Sequence, residues 1–146
     1  MQQQTQDVTL LQEVYHSASM GERGSKLMLT KSKDGGLSAK LSEFSDAYAN
    51  IKQEASDQLA TYGQAPIQSG ALENTAQWMG VQLGTLIDQS PSRMAEMLIQ
   101  GSAKSMIKSI ENIKRNHDTE KRTRELAGRL VSLENDSLAA MKTYLS

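Results

Sequence analysis

The sequence has no cysteine, and only two prolines, two histidines and one tryptophan among its 146 residues. Without cysteine, the chain cannot form a disulfide, use a thiolate nucleophile, or hold zinc or an iron–sulfur cluster through sulfur. Its 16 basic and 17 acidic residues give a net charge of −1 at pH 7. The whole protein therefore has no positive field to attract nucleic acid or an anionic membrane, and we expect neither as a partner.

Long apolar runs are also missing. No run reaches the roughly 18 residues that a membrane-spanning helix needs. The stretch MQQQTQDVT lacks the basic and apolar regions of a signal peptide, so we expect a cytoplasmic protein. Residues 1–6 are polar without a period and are predicted to be a disordered N-terminal tail. Residues 7–146 have the length of one helical domain.

Apolar residues recur three and four positions apart in four long segments, which indicates four amphipathic helices. The first is predicted over residues 7–32, before the turn residues KDGG, and the second ends at the stop signal formed by Gly63 and Pro66. Ser90 and Pro91 are a typical N-cap and first position for the third helix. The fourth is predicted from about residue 119 to the C-terminus. The predicted seam of the third helix is Ser92, Glu96, Ile99, Ala103, Met106, Ile110 and Ile113.

A shorter amphipathic helix is predicted over residues 70–88, between the two prolines. The long connection that contains it favours a crossover between two helical hairpins. An all-α four-helix bundle with one such crossover has the connectivity of ferritin-like folds. Trp78 lies one position off the apolar stripe of this short helix, as a packing residue or as an anchor for a partner chain. The apolar surface of this short helix and of Trp78 leads us to expect a homodimer or another protein partner.

Four glutamates lie on or beside the apolar stripes of the long helices, one on each: Glu22, Glu54, Glu96 and Glu134. A buried, unpaired carboxylate is costly, so such groups are expected to be protonated, paired or bound to metal. Two interpretations stay open. The four acids form a multi-carboxylate metal site, or they form polar networks and ion pairs at the rim of the bundle. Lys26 and Arg93 are spaced for helical ion pairs with Glu22 and Glu96.

With this order of helices and acids, the chain resembles the ferritin-like superfamily, especially its small bacterial members of uncharacterised function, over almost its full length. Di-metal members of that superfamily have one glutamate on each of two helices and a Glu-x-x-His motif on each of the other two. The resemblance places Glu22 and Glu96 at the single glutamates. It places Glu54 and Glu134 at the glutamates of the two Glu-x-x-His motifs.

The chain departs from this pattern at both histidines, because Asp57 and Ser137 occupy those positions. His16 and His117 are not placed to replace them. An all-oxygen site suits Mg, Ca or Mn better than the iron of a redox centre. We therefore predict a structural or protein-interaction module without a redox di-iron centre and without a cofactor. The alternative is a carboxylate-based Fe- or Mn-binding protein, or an oxidoreductase, with the four glutamates as ligands.

The stretch GERG places Gly21 and Gly24 around Glu22 inside the first predicted helix. Each glycine there costs about 0.8–1 kcal/mol relative to alanine. Together with Ala18 and Ser25 they form a patch of small residues, which allows another helix to approach closely. Close packing therefore explains the two glycines without a metal.

Overall fold

The computed structural model describes residues 2–68 and 88–146. Within these ranges the chain forms four α-helices and no strand, which confirms the predicted all-α class. The helices are α1 (Gln2–Lys31), α2 (Gly35–Ala60), α3 (Pro91–Arg115) and α4 (Lys121–Lys142). The short helix predicted over residues 70–88, together with Trp78, lies outside the described residues apart from Asp88.

Local side-chain chemistry explains where the helices begin and end. The Asp34 carboxylate accepts a hydrogen bond from the Leu37 amide at 2.8 Å and caps α2. The Ser90 hydroxyl does the same for the Arg93 amide at 3.2 Å, with Pro91 in the first turn of α3 as predicted. After α2 the chain turns at Gly63, whose φ of 70° is accessible to glycine without strain.

The helix α1 begins at Gln2, so residues 2–6 extend this helix and do not form the predicted disordered tail. Their polar side chains have partners on the α3–α4 loop. The Gln6 side-chain oxygen accepts a hydrogen bond from the Asp118 amide at 2.9 Å. One residue later, Asp7 accepts one from the Glu120 amide, also at 2.9 Å. These hydrogen bonds hold the first turns of α1 against the α3–α4 loop. They could not be predicted from the spacing of apolar residues, because polar side chains form them.

Side-chain contacts between helices fix their directions. Glu22 of α1 contacts Lys52 of α2, and Asp7 of α1 contacts Tyr62, two residues after the end of α2. Residue numbers therefore fall along one helix as they rise along the other. From α3 to α4, Ser102 contacts Ser137 and Ser105 contacts Glu134 in the same opposed order. Each pair is therefore an antiparallel hairpin.

Contacts between the hairpins complete the arrangement. Glu54 of α2 bonds to Arg129 of α4, and Thr61, the C-cap of α2, bonds to Arg122 of α4. The helices α2 and α4 are therefore also antiparallel. Because α4 is antiparallel to both α2 and α3, the helices α2 and α3 run in the same direction. The end of α2 and the start of α3 therefore lie at opposite ends of the bundle. None of the helices in the described ranges is long and apolar enough to cross a lipid bilayer.

The apolar core lies between the four helices, and α3 contributes to it differently from the prediction. The residues of α3 that are buried are Met94, Ala95, Leu98, Ser102, Ser109 and Asn112. Glu96 and Ile110 of the predicted seam are exposed. The predicted seam is therefore wrong by a rotation of about one residue, or roughly 100° around the helix axis. Serine hydroxyls of α3 face polar groups on α4, and this polar contact displaces the apolar stripe from the centre of the bundle.

Candidate functional site

Glu22 on α1 is buried, with 8% of its surface exposed, and it is paired with two lysines. The Lys52 ammonium of α2 lies 2.7 Å from its Oε1, and the Lys26 ammonium, one turn along α1, lies 3.1 Å from its Oε2. Burial alone would raise the pKa of Glu22, but hydrogen bonds and charges from Lys52 and Lys26 outweigh it and lower the pKa. Glu22 is therefore an ionised group whose charge is already balanced.

Glu54 and Glu96 lie at the rim of the bundle. The Glu54 carboxylate is 2.6 Å from the Arg129 guanidinium, and its side chain is 44% exposed. The Glu96 carboxylate is 3.4 Å from the Arg93 guanidinium, three residues earlier on α3, and its side chain is 52% exposed. Exposed pairs of this kind contribute about 0–1 kcal/mol to stability. Their geometry is that of ordinary surface ion pairs.

Glu134 on α4 is fully buried, and, unlike the other three acids, it has no cation within ion-pair distance among the described residues. The Ser105 hydroxyl of α3 donates a hydrogen bond to its Oε2. Within the described residues, its Oε1 has no hydrogen-bond partner. Burial raises the pKa of Glu134, and the hydroxyl groups of Ser105 and Ser109 only partly oppose that rise. The geometry therefore favours a neutral carboxyl group in the core.

The phenol of Tyr48 on α2 belongs to the same buried polar layer. Burial, and then the charge of Glu134, raise its pKa, while a hydrogen bond with Ser102 acts in the opposite direction. The Ser102 hydroxyl also donates to the Ser137 hydroxyl at 3.4 Å. This layer joins α2, α3 and α4 through hydroxyl groups, and it contains one carboxyl group.

The structure does not bring the four predicted glutamates together. Glu22 bonds to lysines, Glu54 and Glu96 to separate arginines, and Glu134 to a serine. Within residues 2–68 and 88–146, no three His, Asp or Glu side chains lie close enough to hold a metal ion. These residues do not fit the di-metal site that the ferritin-like resemblance implies, with Fe or Mn as its metal.

Neither position that departs from the Glu-x-x-His motif compensates for the missing imidazoles. The Asp57 carboxylate accepts a hydrogen bond from the Gln53 amide on the outside of α2 at 3.0 Å. Ser137 is buried in the hydroxyl layer. His16 lies on α1, where burial and then the charge of Lys108 lower its pKa. His117 is exposed in the α3–α4 loop.

An open cleft of about 250 Å³ lies at one end of the bundle, between the α1–α2 turn and the start of α3. Its walls include Lys33, Asp34, Leu37 and Met94. The Asp34 carboxylate is already engaged as the α2 cap. None of the four predicted metal ligands lines the cleft.

Sequence reasoning missed a surface on the outer side of α3, which we call the α3 face. It consists of Ala103, Met106, Ile107 and Ile110. Ile107 is 58% exposed and Ile110 is 38% exposed, although they lie one turn apart on a helix of a packed bundle. The 3–4 spacing of Ala103, Met106 and Ile110 was visible in the sequence, but it indicated the core. The serines on the other side of α3 were the signal that could have placed this stripe outside.

Comparison with family models, curated proteins and solved structures found no match.

Proposed function

We propose that this protein is a helical-bundle interaction module that binds a protein partner through the α3 face. The observation that carries the proposal is the exposure of Ile107 and Ile110, one turn apart, on the outer side of α3. Contiguous exposed apolar patches on a folded protein mark interaction surfaces, in contrast to single exposed apolar residues.

The distribution of polar and apolar residues around α3 also supports the proposal. An amphipathic helix normally turns its apolar side towards the core of its own domain. From residue 102 to its C-terminal end, α3 instead buries Ser102, Ser109 and Asn112, and the apolar side chains of Met106 and Ile107 lie on other sides of the helix. Burial of the apolar side by a partner would remove this surface from water, which contributes about 25 cal/mol per Å² before the entropy cost of association is subtracted.

A ferritin-like relationship without a redox di-iron centre belongs to the same proposal. Two antiparallel hairpins, with α2 and α3 running in the same direction, support the relationship, because ferritin-like bundles have one long crossover. Asp57 and Ser137 at the expected histidine positions, and the separate ion pairs of Glu22 and Glu54, support the loss of the metal centre. The bundle then serves as a scaffold for the α3 face and needs no cofactor.

Site-specific photo-crosslinking tests this function. A photoreactive amino acid replaces Ile110 in one variant and Ile67 in a control variant, since Ile67 is an exposed isoleucine outside the helices, with 69% of its surface exposed. We expect a discrete protein adduct from position 110 in the cells that produce this protein, mapped by mass spectrometry to one segment of one partner. Absence of an adduct at position 110, or the same adducts from both positions, would contradict the proposal.

A further inference from the structure

We infer that the partner presents an amphipathic helix whose apolar stripe is flanked by acidic side chains. This inference rests on the proposed function of the α3 face and names the chemistry of its ligand. It follows from the position of the exposed apolar residues Ile107 and Ile110 between two lysines, Lys104 and Lys114.

The spacing places these lysines beside the isoleucines. Lys104 precedes Ile107 by three residues and Lys114 follows Ile110 by four, and residues at these spacings are neighbours on a helix surface. Both lysines are exposed. The α3 face is therefore an apolar patch with a positive charge at each end.

Within residues 2–68 and 88–146, no acidic group neutralises these charges. In the described part of the chain, neither Lys104 nor Lys114 has an acidic group within ion-pair distance, whereas Lys26, Lys52 and Lys121 all do. The nearby acid Glu111 is 3.7 Å from the Arg115 guanidinium. A surface that keeps unpaired positive charges around an apolar stripe is complementary to an acidic amphipathic ligand.

The shape of the patch favours a helix as that ligand. From Ala103 to Lys114 it extends over about three turns, or roughly 17 Å at 1.5 Å per residue. Ala103, Met106 and Ile110 repeat at the three- and four-residue spacing with which helices pack against one another. An amphipathic helix recognises such a surface through apolar anchors at matching spacing.

The same charges disfavour two other occupants. If two copies paired their α3 helices antiparallel with Ile107 opposite Ile110, Lys104 of each copy would lie close to Lys114 of the other. Like charges brought together in this way destabilise an interface. An anionic membrane is disfavoured because the patch has no tryptophan or tyrosine to anchor it at the lipid interface.

Binding of two designed helical peptides to the full chain tests the inference. The peptides share one leucine stripe, and they differ in having glutamates or lysines on its flanks. Fluorescence anisotropy should show that the glutamate peptide binds at least about tenfold more tightly at low salt, with the difference shrinking as salt screens the charges. NMR spectra should place the perturbed amides on α3.

Charge reversal supplies the decisive variants. Lys104→Glu combined with Lys114→Glu should invert the preference, so that the lysine peptide binds more tightly. The control, Lys33→Glu combined with Lys142→Glu, changes the net charge equally at exposed positions outside α3 and should keep the preference for the glutamate peptide. All four substitutions lie on the surface, and thermal melts by circular dichroism verify folding.

Each remaining outcome has a defined meaning. Equal binding of both peptides, abolished by Ile107→Gln with Ile110→Gln but not by Ile67→Gln, would overturn the acidic partner and retain the α3 face. A dimer in sedimentation equilibrium that Ile110→Gln dissociates, without peptide binding, would assign the face to a second copy. Binding to phosphatidylserine vesicles alone would assign it to a membrane. No binding to either peptide or to vesicles, with no dimer and no crosslink at position 110, would overturn both proposals.

Discussion

Gly21 of α1 lies against the aromatic ring of Tyr48 on α2, so closely that a Cβ built on the glycine would be 2.6 Å from ring atoms. This distance is far shorter than any real carbon–carbon contact between side chains. Close packing of α1 against α2 therefore explains why residue 21, the first of the GERG stretch, is a glycine. It gives the Tyr48 ring the space from which the phenol reaches the buried polar layer.

Gly21→Ala is expected to destabilise the protein by about 1–3 kcal/mol, because the Tyr48 ring and the backbone must move apart. The better helix propensity of alanine, about 1 kcal/mol, does not offset this cost. The matched control is Gly101→Ala on α3, where a Cβ would meet nothing within 4 Å. That change should be neutral or stabilising by up to about 1 kcal/mol. Urea denaturation of both variants measures the difference, and equal stabilities would contradict the close contact.

The two lysines bound to Glu22 are predicted to differ in importance. Lys52→Met should lower the free energy of unfolding by about 1–3 kcal/mol, because the substitution leaves the buried carboxylate of Glu22 without its closer partner. The Lys52 side chain is only 32% exposed, so water screens this pair little. Lys26→Met should cost about 0–1 kcal/mol, since the Lys26 side chain is 62% exposed. Chemical denaturation at neutral pH provides the comparison. A larger loss from Lys26→Met would show that the ion pair between α1 and α2 is not the principal one.

The pH dependence of this pair has a definite sign. Because the folded pKa of Glu22 is lowered, its stabilising contribution is present above the unfolded pKa and is lost as pH falls through the folded pKa. The difference between wild type and Lys52→Met should therefore shrink in acid. A difference that stays constant from neutral pH into strong acid would exclude the ionised carboxylate as its source.

Local sequence signals were sufficient to predict most of the helices. Ser90 and Pro91 marked the start of α3, and Gly63 marked the chain reversal after α2, because capping and turn chemistry act within a few residues. The rotation of α3 was not predictable in the same way. Its serines and its isoleucines both recur at helical spacing, so the pattern alone contains two candidate seams. The contact between the Ser105 hydroxyl and Glu134, a residue distant in the sequence, decides which of the two seams is buried.

The separate positions of the four predicted glutamates were not predictable for a related reason. A position on a helical stripe predicted the burial of Glu22 and Glu134, and both are buried. Their convergence depends on the relative rotation of neighbouring helices, which spacing along one helix does not specify. Glu96 was on the predicted seam of the third helix, and the rotation of α3 by about one residue leaves it at the rim of the bundle. Glu54, predicted on or beside its stripe, also lies at the rim.

Asp7 is predicted to hold three parts of the bundle together. Its buried carboxylate accepts hydrogen bonds from the Tyr62 hydroxyl at 3.0 Å and from the Glu120 amide at 2.9 Å. Asp7→Ala should cost about 1–3 kcal/mol, because it leaves these donors unpaired. Hydrogen exchange should accelerate at the Glu120 amide. The control is Asp46→Ala on the exposed side of α2, which should change stability by no more than about 0.5 kcal/mol. Unchanged exchange at Glu120 would contradict the assigned role.

Glu134→Gln is expected to stabilise the protein by about 1–3 kcal/mol at neutral and alkaline pH, because it removes a fully buried carboxylate. In the described part of the chain this carboxylate has no cationic partner, and one of its oxygens accepts no hydrogen bond. The folded pKa of Glu134 is raised by burial, so this group favours the folded state below its unfolded pKa. That contribution is lost as pH rises through the folded pKa. The gain from Glu134→Gln should therefore be small in acid and should grow to a plateau above the folded pKa.

Glu96→Gln is the matched control: its exposed pair with Arg93 predicts a change of about 0–1 kcal/mol. Urea denaturation of wild type and both variants across this pH range measures the effect. A gain from Glu134→Gln that is independent of pH, or no larger than that from Glu96→Gln, would show that Glu134 does not ionise at a cost within the folded bundle.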